Sequence, residues 1–240
     1  MTEGNTTDKN TLGRILRIIG IVLFSLTVTF TLLGGVGSTC AALGAEGYDS
    51  MKPLLPYKWM YQLLVVITVG IAIYGITVTI NLIREKEGAY KGAIITLVLA
   101  LLAGGVQMIA SEILRGASAP TNMRVYFTIF TLGVFLLFRI PGIWEKVGFS
   151  QAGDSEGNGT AAGMAMFTAG VLTLTVHNWA SPTHTWDGIN FVDVWRTQLM
   201  VVGWTLLILG VALFAKSVWG ITLAKPLKFL DSNTAREVPQ

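Results

Sequence analysis

Six apolar stretches, each about as long as a bilayer's hydrocarbon core is thick, divide this sequence: residues 15–36, 59–83, 92–114, 125–143, 161–180 and 199–221. A helix rises about 1.5 Å per residue, so a core of about 30 Å takes roughly 20 predominantly apolar residues to cross. Lipid offers no partner for backbone N–H and C=O groups, and runs of this kind satisfy their own by folding as helices. The expected fold class is all-α: a polytopic integral membrane protein, a bundle of about six transmembrane helices, with tails at 1–14 and 222–240. The fourth and fifth stretches are the shortest. The fifth is rich in small residues, with Ala161, Ala165 and Ala169 on one helical face at a spacing of four.

Composition narrows the function classes. Only 13% of residues are charged and 52% are hydrophobic, against about a quarter charged in soluble domains. The formal charge of +3 comes from scattered lysines and arginines, so no nucleic-acid surface is expected. A single cysteine, Cys40, excludes an internal disulfide framework and every multi-cysteine metal or iron–sulfur pattern. The first apolar run continues to Val36, well past the core of about 7–15 residues that a secretory signal carries, and is expected to be a retained helix.

Orientation follows from the basic residues. With the N-terminus inside, 12 lysines and arginines fall on the inner side and five (Lys52, Lys58, Arg115, Arg124 and Arg196) on the outer. Basic residues resist translocation, so both termini are expected in the cytoplasm of a multi-pass plasma-membrane protein. The inner connections are then a charged turn, 84–91, and a Gly/Ser/Asp-rich linker, 150–160. The outer ones are 37–58, 115–124 and 177–198.

Chemistry is concentrated in the last outer loop, HNWASPTHTWDGINFVDVWRTQ from His177 to Gln198. It holds both histidines of the chain and three of its seven tryptophans. His177, His184 and Asp187 are candidate metal ligands, since imidazole and carboxylate together suit zinc, iron, copper or manganese. Pro182 lies between the histidines and breaks the helix that would align them, so interfacial or hydrogen-bonded imidazoles are the plainer expectation and no cofactor is expected. Trp179, Trp186, Asp187 and Trp195 are candidate partner-binding residues. Indole rings anchor helix ends at the headgroup level, but Trp186 stands well inside the loop, where a docking role fits better.

Within the spans, ionisable groups are scarce. Glu112 sits near the outer end of the third stretch with Arg115 three residues on, and a boundary ion pair is expected in place of a proton relay. Glycines at 34, 35, 70, 75, 104, 105, 203 and 210 are expected to let helices approach closely. A short motif recurs around Gly70, Gly133 and Gly210, as TVGIAI, TLGVFL and ILGVAL, and would fit an origin in three hairpins. No phosphate loop, HExxH or GxSxG is present. The expected function is therefore a non-catalytic accessory or scaffold subunit of a larger membrane complex, energy-transducing assemblies among them, with membrane lipids and other membrane subunits as partners. The alternatives are a small transporter or channel for a neutral or lipidic solute and, third, a membrane-bound metal or haem enzyme.

Overall fold

The computed structural model describes residues 4–149, 157–186 and 188–219. In chain order they form α1 (Gly4–Gly37), the short α2 (Thr39–Leu43), 3-10 turns over Ala45–Gly47 and Asp49–Tyr57, α3 (Lys58–Ile83), α4 (Ala89–Arg115), α5 (Thr121–Leu137), the short α6 (Trp144–Val147) and α7 (Gly157–Leu174). There follow the short α8 (Val176–Ala180), a 3-10 turn over Ser181–Thr183, two-residue strands β1 (Thr185–Trp186) and β2 (Ile189–Asn190), the short α9 (Phe191–Val194) and α10 (Arg196–Trp219). The chain is all-α, its strands forming one small antiparallel hairpin that pairs Thr185 with Asn190 and Trp186 with Ile189.

Four helical segments, Thr11–Leu43, Asp49–Ile83, Ala89–Arg115 and Arg196–Ser217, are long and apolar enough to cross a membrane, and Thr121–Leu137 and Gly159–Leu174 are shorter apolar helices. The two short ones fall where the sequence places its fourth and fifth stretches, and both end early for local reasons. In a continuing helix the ring of Pro141 would meet the carbonyl of Leu137, and Ile140 before it is pushed out of the helical region. Helix α5 accordingly stops at Leu137, six residues before the expected Ile143, and the chain turns through Gly142 at φ 84°. The fifth helix breaks at Thr175, whose hydroxyl donates to the carbonyl of Val171 at 2.8 Å. The backbone N–H of Thr175 bonds the same carbonyl at 3.0 Å, and α8 begins one residue later.

Helix α1 is the hub, packing against α3, α5, α6 and α7. Its Ile21, Phe24 and Val28 join Val78 and Leu82 of α3, Ala93 and Leu97 of α4, Phe135 of α5 and Phe138 just beyond it in the main core. Rings of Tyr90, Phe135, Phe138 and Phe149 contact one another at centroid distances of 5.7–6.0 Å within it. At this end Arg17 of α1 reaches Glu85 in the α3–α4 turn, Nη2 to Oε1 at 3.2 Å.

Small residues place α7 between two neighbours. Ala161, Ala165 and Ala169 are buried, Ala161 in the core around α1. Gly163 and Gly170, on the other side of the helix, lie against the backbone of α10 beside Gly210 and Gly203. Glycine therefore serves close approach here, as it does where Gly34, Gly35, Gly75 and Gly104 meet side chains of facing helices. At Gly70, Gly105 and Gly133 a Cβ would enter open space. The three copies of the glycine motif thus occupy unequal environments, with Gly210 packed and the other two open.

The opposite end of the bundle carries the two long connections, and both are folded. Ala41, Ala42, Ala45, Met51 and Leu54 form a small core with Tyr61 of α3, and Leu114 of α4 packs against it. Tyr48 meets Phe191 edge to face at 5.7 Å, which ties the first loop to the last.

Candidate functional site: a buried arginine beneath the folded loops

The residue that departs furthest from the sequence expectation is Arg124. Read as part of an outer connection, it lies instead in the first turn of α5 with its side chain turned into the bundle, 6% exposed. Gly34 of α1 and Gly104 of α4 form its slot. A Cβ on Gly34 would stand 3.0 Å from Nη1, and one on Gly104 would stand 3.3 Å from Nη2. Glycine at both places lets a planar guanidinium slide between two backbones.

One side of that guanidinium is satisfied. Nη2 donates to Oε1 of Gln107 at 2.9 Å, Gln107 Nε2 donates to Ser38 Oγ at 2.7 Å, and Ser38 Oγ donates to the carbonyl of Gly34 at 2.7 Å. Gln107 lies one turn from Gly104 on α4, and Ser38, just past the end of α1, lies one turn from Gly34, so slot and chain come from the same two segments. Nε and Nη1 of Arg124 are buried without a hydrogen-bond partner among the described residues. No Asp or Glu forms an ion pair with it there. A charge buried in this way is costly in a protein interior, and an ionisable residue within a membrane bundle is by default a functional one.

The last loop covers this end. His184 directs Nδ1 at the carbonyl of Ala180, 3.0 Å away, and packs Nε2 against Gly37, one residue before Ser38. His177 faces elsewhere, with Nδ1 3.1 Å from Oδ1 of Asp193 and 3.2 Å from Ser181 Oγ. The two imidazoles thus hold different partners. Among the described residues no three His, Cys, Asp or Glu side chains gather as a metal centre requires. Asp187 lies outside the described residues, as does the side chain of Trp186, though its backbone forms β1. Gly188, between β1 and β2, has φ 78°, and Asp-Gly in the sequence is a strong two-residue hairpin signal.

Of the tryptophans, Trp179 meets Phe30 edge to face at 5.9 Å, and Phe30 meets Phe127 at 5.2 Å. That ring fastens α8 to α1 while remaining half exposed. Trp195 stands 54% exposed, and Val194 and Ile189 of the same loop are exposed too. Glu112 and Arg115 form no ion pair among the described residues. Glu112 points to the exterior of α4, and spacing alone did not bring the two side chains together. Glu46 pairs with Lys58 instead, and that hydrogen bond holds its carboxyl below the usual carboxylate range.

Burial pushes the imidazole of His184 below its ordinary pKa, and the bond to Ala180 opposes this only in part. At His184 the folded loop therefore holds fewer protons than the unfolded chain. Its stability is fully present above the unfolded value of about 6.5 and is lost as pH falls below that. Protection factors for hydrogen exchange over residues 176–195, taken against the intrinsic rate at each pH, are expected to fall on acidification below about 6.5. His184→Gln is expected to flatten the dependence, and equal pH profiles for wild type and variant would refute this.

Neither a protein-family model, nor a curated protein, nor a solved structure matches this chain.

Proposed function

We propose that this chain is a non-catalytic accessory or scaffold subunit of a larger membrane protein complex, spanning the plasma membrane six times with both termini cytoplasmic. Its docking surface runs along the exposed side of α10 and onto the outer loop through Trp195, Val194 and Ile189. A cytoplasmic signal from a reporter fused after Gln240 would agree with the orientation, and a signal from the far side would exclude it.

The observation that carries the reading is Trp204. It lies eight residues into α10, about 12 Å below the start of the helix, and it is half exposed. Indole rings at a membrane surface sit at the headgroup level, where their N–H finds a partner. At this depth lipid tails offer no acceptor, and the indole N–H of Trp204, in the middle of α10, has no hydrogen bond among the described residues. A neighbouring helix supplying a carbonyl or hydroxyl would complete it. The surroundings agree: 11% of the most apolar 18-residue stretch of α10 is buried, against 33–39% in the other three long segments.

Purification in a mild detergent followed by mass spectrometry is expected to yield stoichiometric membrane partners. Trp204→Leu, which keeps apolar bulk and removes the donor, is expected to weaken their retention by about 2 kcal/mol or more, the scale of a buried interface anchor. The pair Trp186→Ala with Asp187→Ala tests the loop half of the surface in the same assay. A wild-type chain that purifies alone from gently solubilised membranes would end the scaffold reading in favour of transport of a neutral or lipidic solute.

A further inference from the structure

We propose that Arg124 is the centre of a phosphate-binding site, taking a phosphate group through the two nitrogens, Nε and Nη1, that the bundle leaves without acceptors. The inference stands apart from the scaffold reading and uses none of the α10 surface.

Arg124 is more than nine-tenths buried, and its Nε and Nη1 are themselves buried with no partner among the described residues. Its position is built: Gly34 and Gly104 open the slot, and Gln107, itself bonded to Ser38, fixes Nη2. An arginine one turn from a helix end can ordinarily snorkel to the headgroups and stay solvated. This one is drawn inward, and the remaining donors point at nothing the chain provides.

The local field also calls for an anion. Arg124 stands in the first turn of α5, which contains no acidic residue, so a cation sits at the positive end of the helix dipole. Guanidinium offers several donors in a planar fork, an arrangement matched to phosphate oxygens. Depth then brings phosphate within reach. The 17 residues of α5 span about 25 Å, less than a hydrocarbon core of about 30 Å. Local thinning of lipid to meet a short helix would bring headgroup phosphates toward the level of its first turn. A phospholipid headgroup and free inorganic phosphate share the required chemistry.

The test uses the full chain, purified in a neutral detergent without phosphate, and follows its thermal unfolding midpoint. One arm adds inorganic phosphate, with chloride at equal ionic strength as control. The other compares nanodiscs of phosphatidylcholine alone with nanodiscs containing phosphatidylglycerol, and native mass spectrometry of the detergent sample reports any phospholipid carried through purification. Wild type is expected to gain several degrees in at least one arm, or to retain a phospholipid, and the responding arm identifies the source. Arg124→Met is expected to show neither effect and, in phosphate-free detergent, to unfold no lower than wild type, because it removes an unmatched charge. Should that variant fail to fold, Arg124→Lys keeps the charge without the fork and is expected to shift by less than half as much. Equal shifts in wild type and the folded variant, a chloride effect as large as the phosphate effect, or no shift together with no retained phospholipid would each overturn the proposal.

Discussion

Replacing Glu85 with alanine is expected to lower the unfolding free energy by about 3–5 kcal/mol, the range for breaking a buried ion pair from one side. The side chains of Arg17 and Glu85 are 12% and 6% exposed, with Nη2 and Oε1 at 3.2 Å. Arg17 would not be stranded entirely. Its Nη2 also donates to the carbonyl of Leu82 at 3.1 Å, its Nη1 to that of Gly148 at 3.3 Å, and its guanidinium lies 5.3 Å from the Phe149 ring centroid. These contacts draw the expected loss toward the lower end of the range. Backbone strain can be separated from charge, because Glu85 sits at φ 53°, the left-handed region. Glu85→Gly removes the carboxylate without that penalty, of order 1 kcal/mol, so the glycine variant should unfold later than the alanine one. Arg17→Met in the Glu85→Ala background should recover part of the loss, since no unmatched charge then remains. Denaturant titration in mixed micelles measures all four proteins. A loss under about 1 kcal/mol for Glu85→Ala would show the pair to be worth no more than an exposed one.

That ion pair marks what the sequence could and could not convey. The long helices were legible because the bilayer sets a length and an apolarity that any spanning helix must meet, and both are read one residue at a time. The early end of α5 was legible in kind, since Pro141 and Gly142 are visible stop signals, but the stop acts four residues back, at Leu137. Arg17 and Glu85 could be counted only as separate charges near one membrane face, because 68 positions divide them. Arg124 was misplaced for a related reason. It precedes an apolar run directly, as a loop arginine would, and what draws it inward is a slot made by Gly34 and Gly104 on two other helices. The paired glycines at 34–35 and 104–105 were visible, yet nothing local joins them to an arginine. Glu112 and Arg115 show the converse: correct spacing on one helix, with no ion pair between them among the described residues.

Separating α10 from α7 should take a single added side chain. Gly163 and Gly210 face each other so closely that a Cβ on either would stand 2.9 Å from the carbonyl oxygen of the other, and a Cβ on Gly170 would stand 2.9 Å from that of Gly203. Each helix repeats its glycine after seven residues, about two turns, which keeps both contacts on one seam. The obstacle at every site includes backbone, which cannot swing aside as a side chain tip does. Gly170→Val is therefore expected to cost about 1–3 kcal/mol, the range for overpacking, and Gly163→Val with Gly170→Val to cost more than either alone. The same change at Gly70 or Gly105, where a Cβ meets nothing, is expected to stay within about 0.5 kcal/mol. Geometry can be read independently. The hydroxyls of Thr160 and Ser217 lie 2.7 Å apart across this pair of helices, so cysteines placed there in a chain lacking Cys40 should crosslink readily. Gly170→Val should reduce the yield and Gly105→Val should not, whereas full crosslinking and unchanged stability for Gly170→Val would show that the close approach contributes little. The seam also distinguishes the two proposed sites. Helix α10 packs along α7 and carries Trp204, while Arg124 is held by α1, α4 and α5, so loosening the seam should release membrane partners and leave the phosphate response intact.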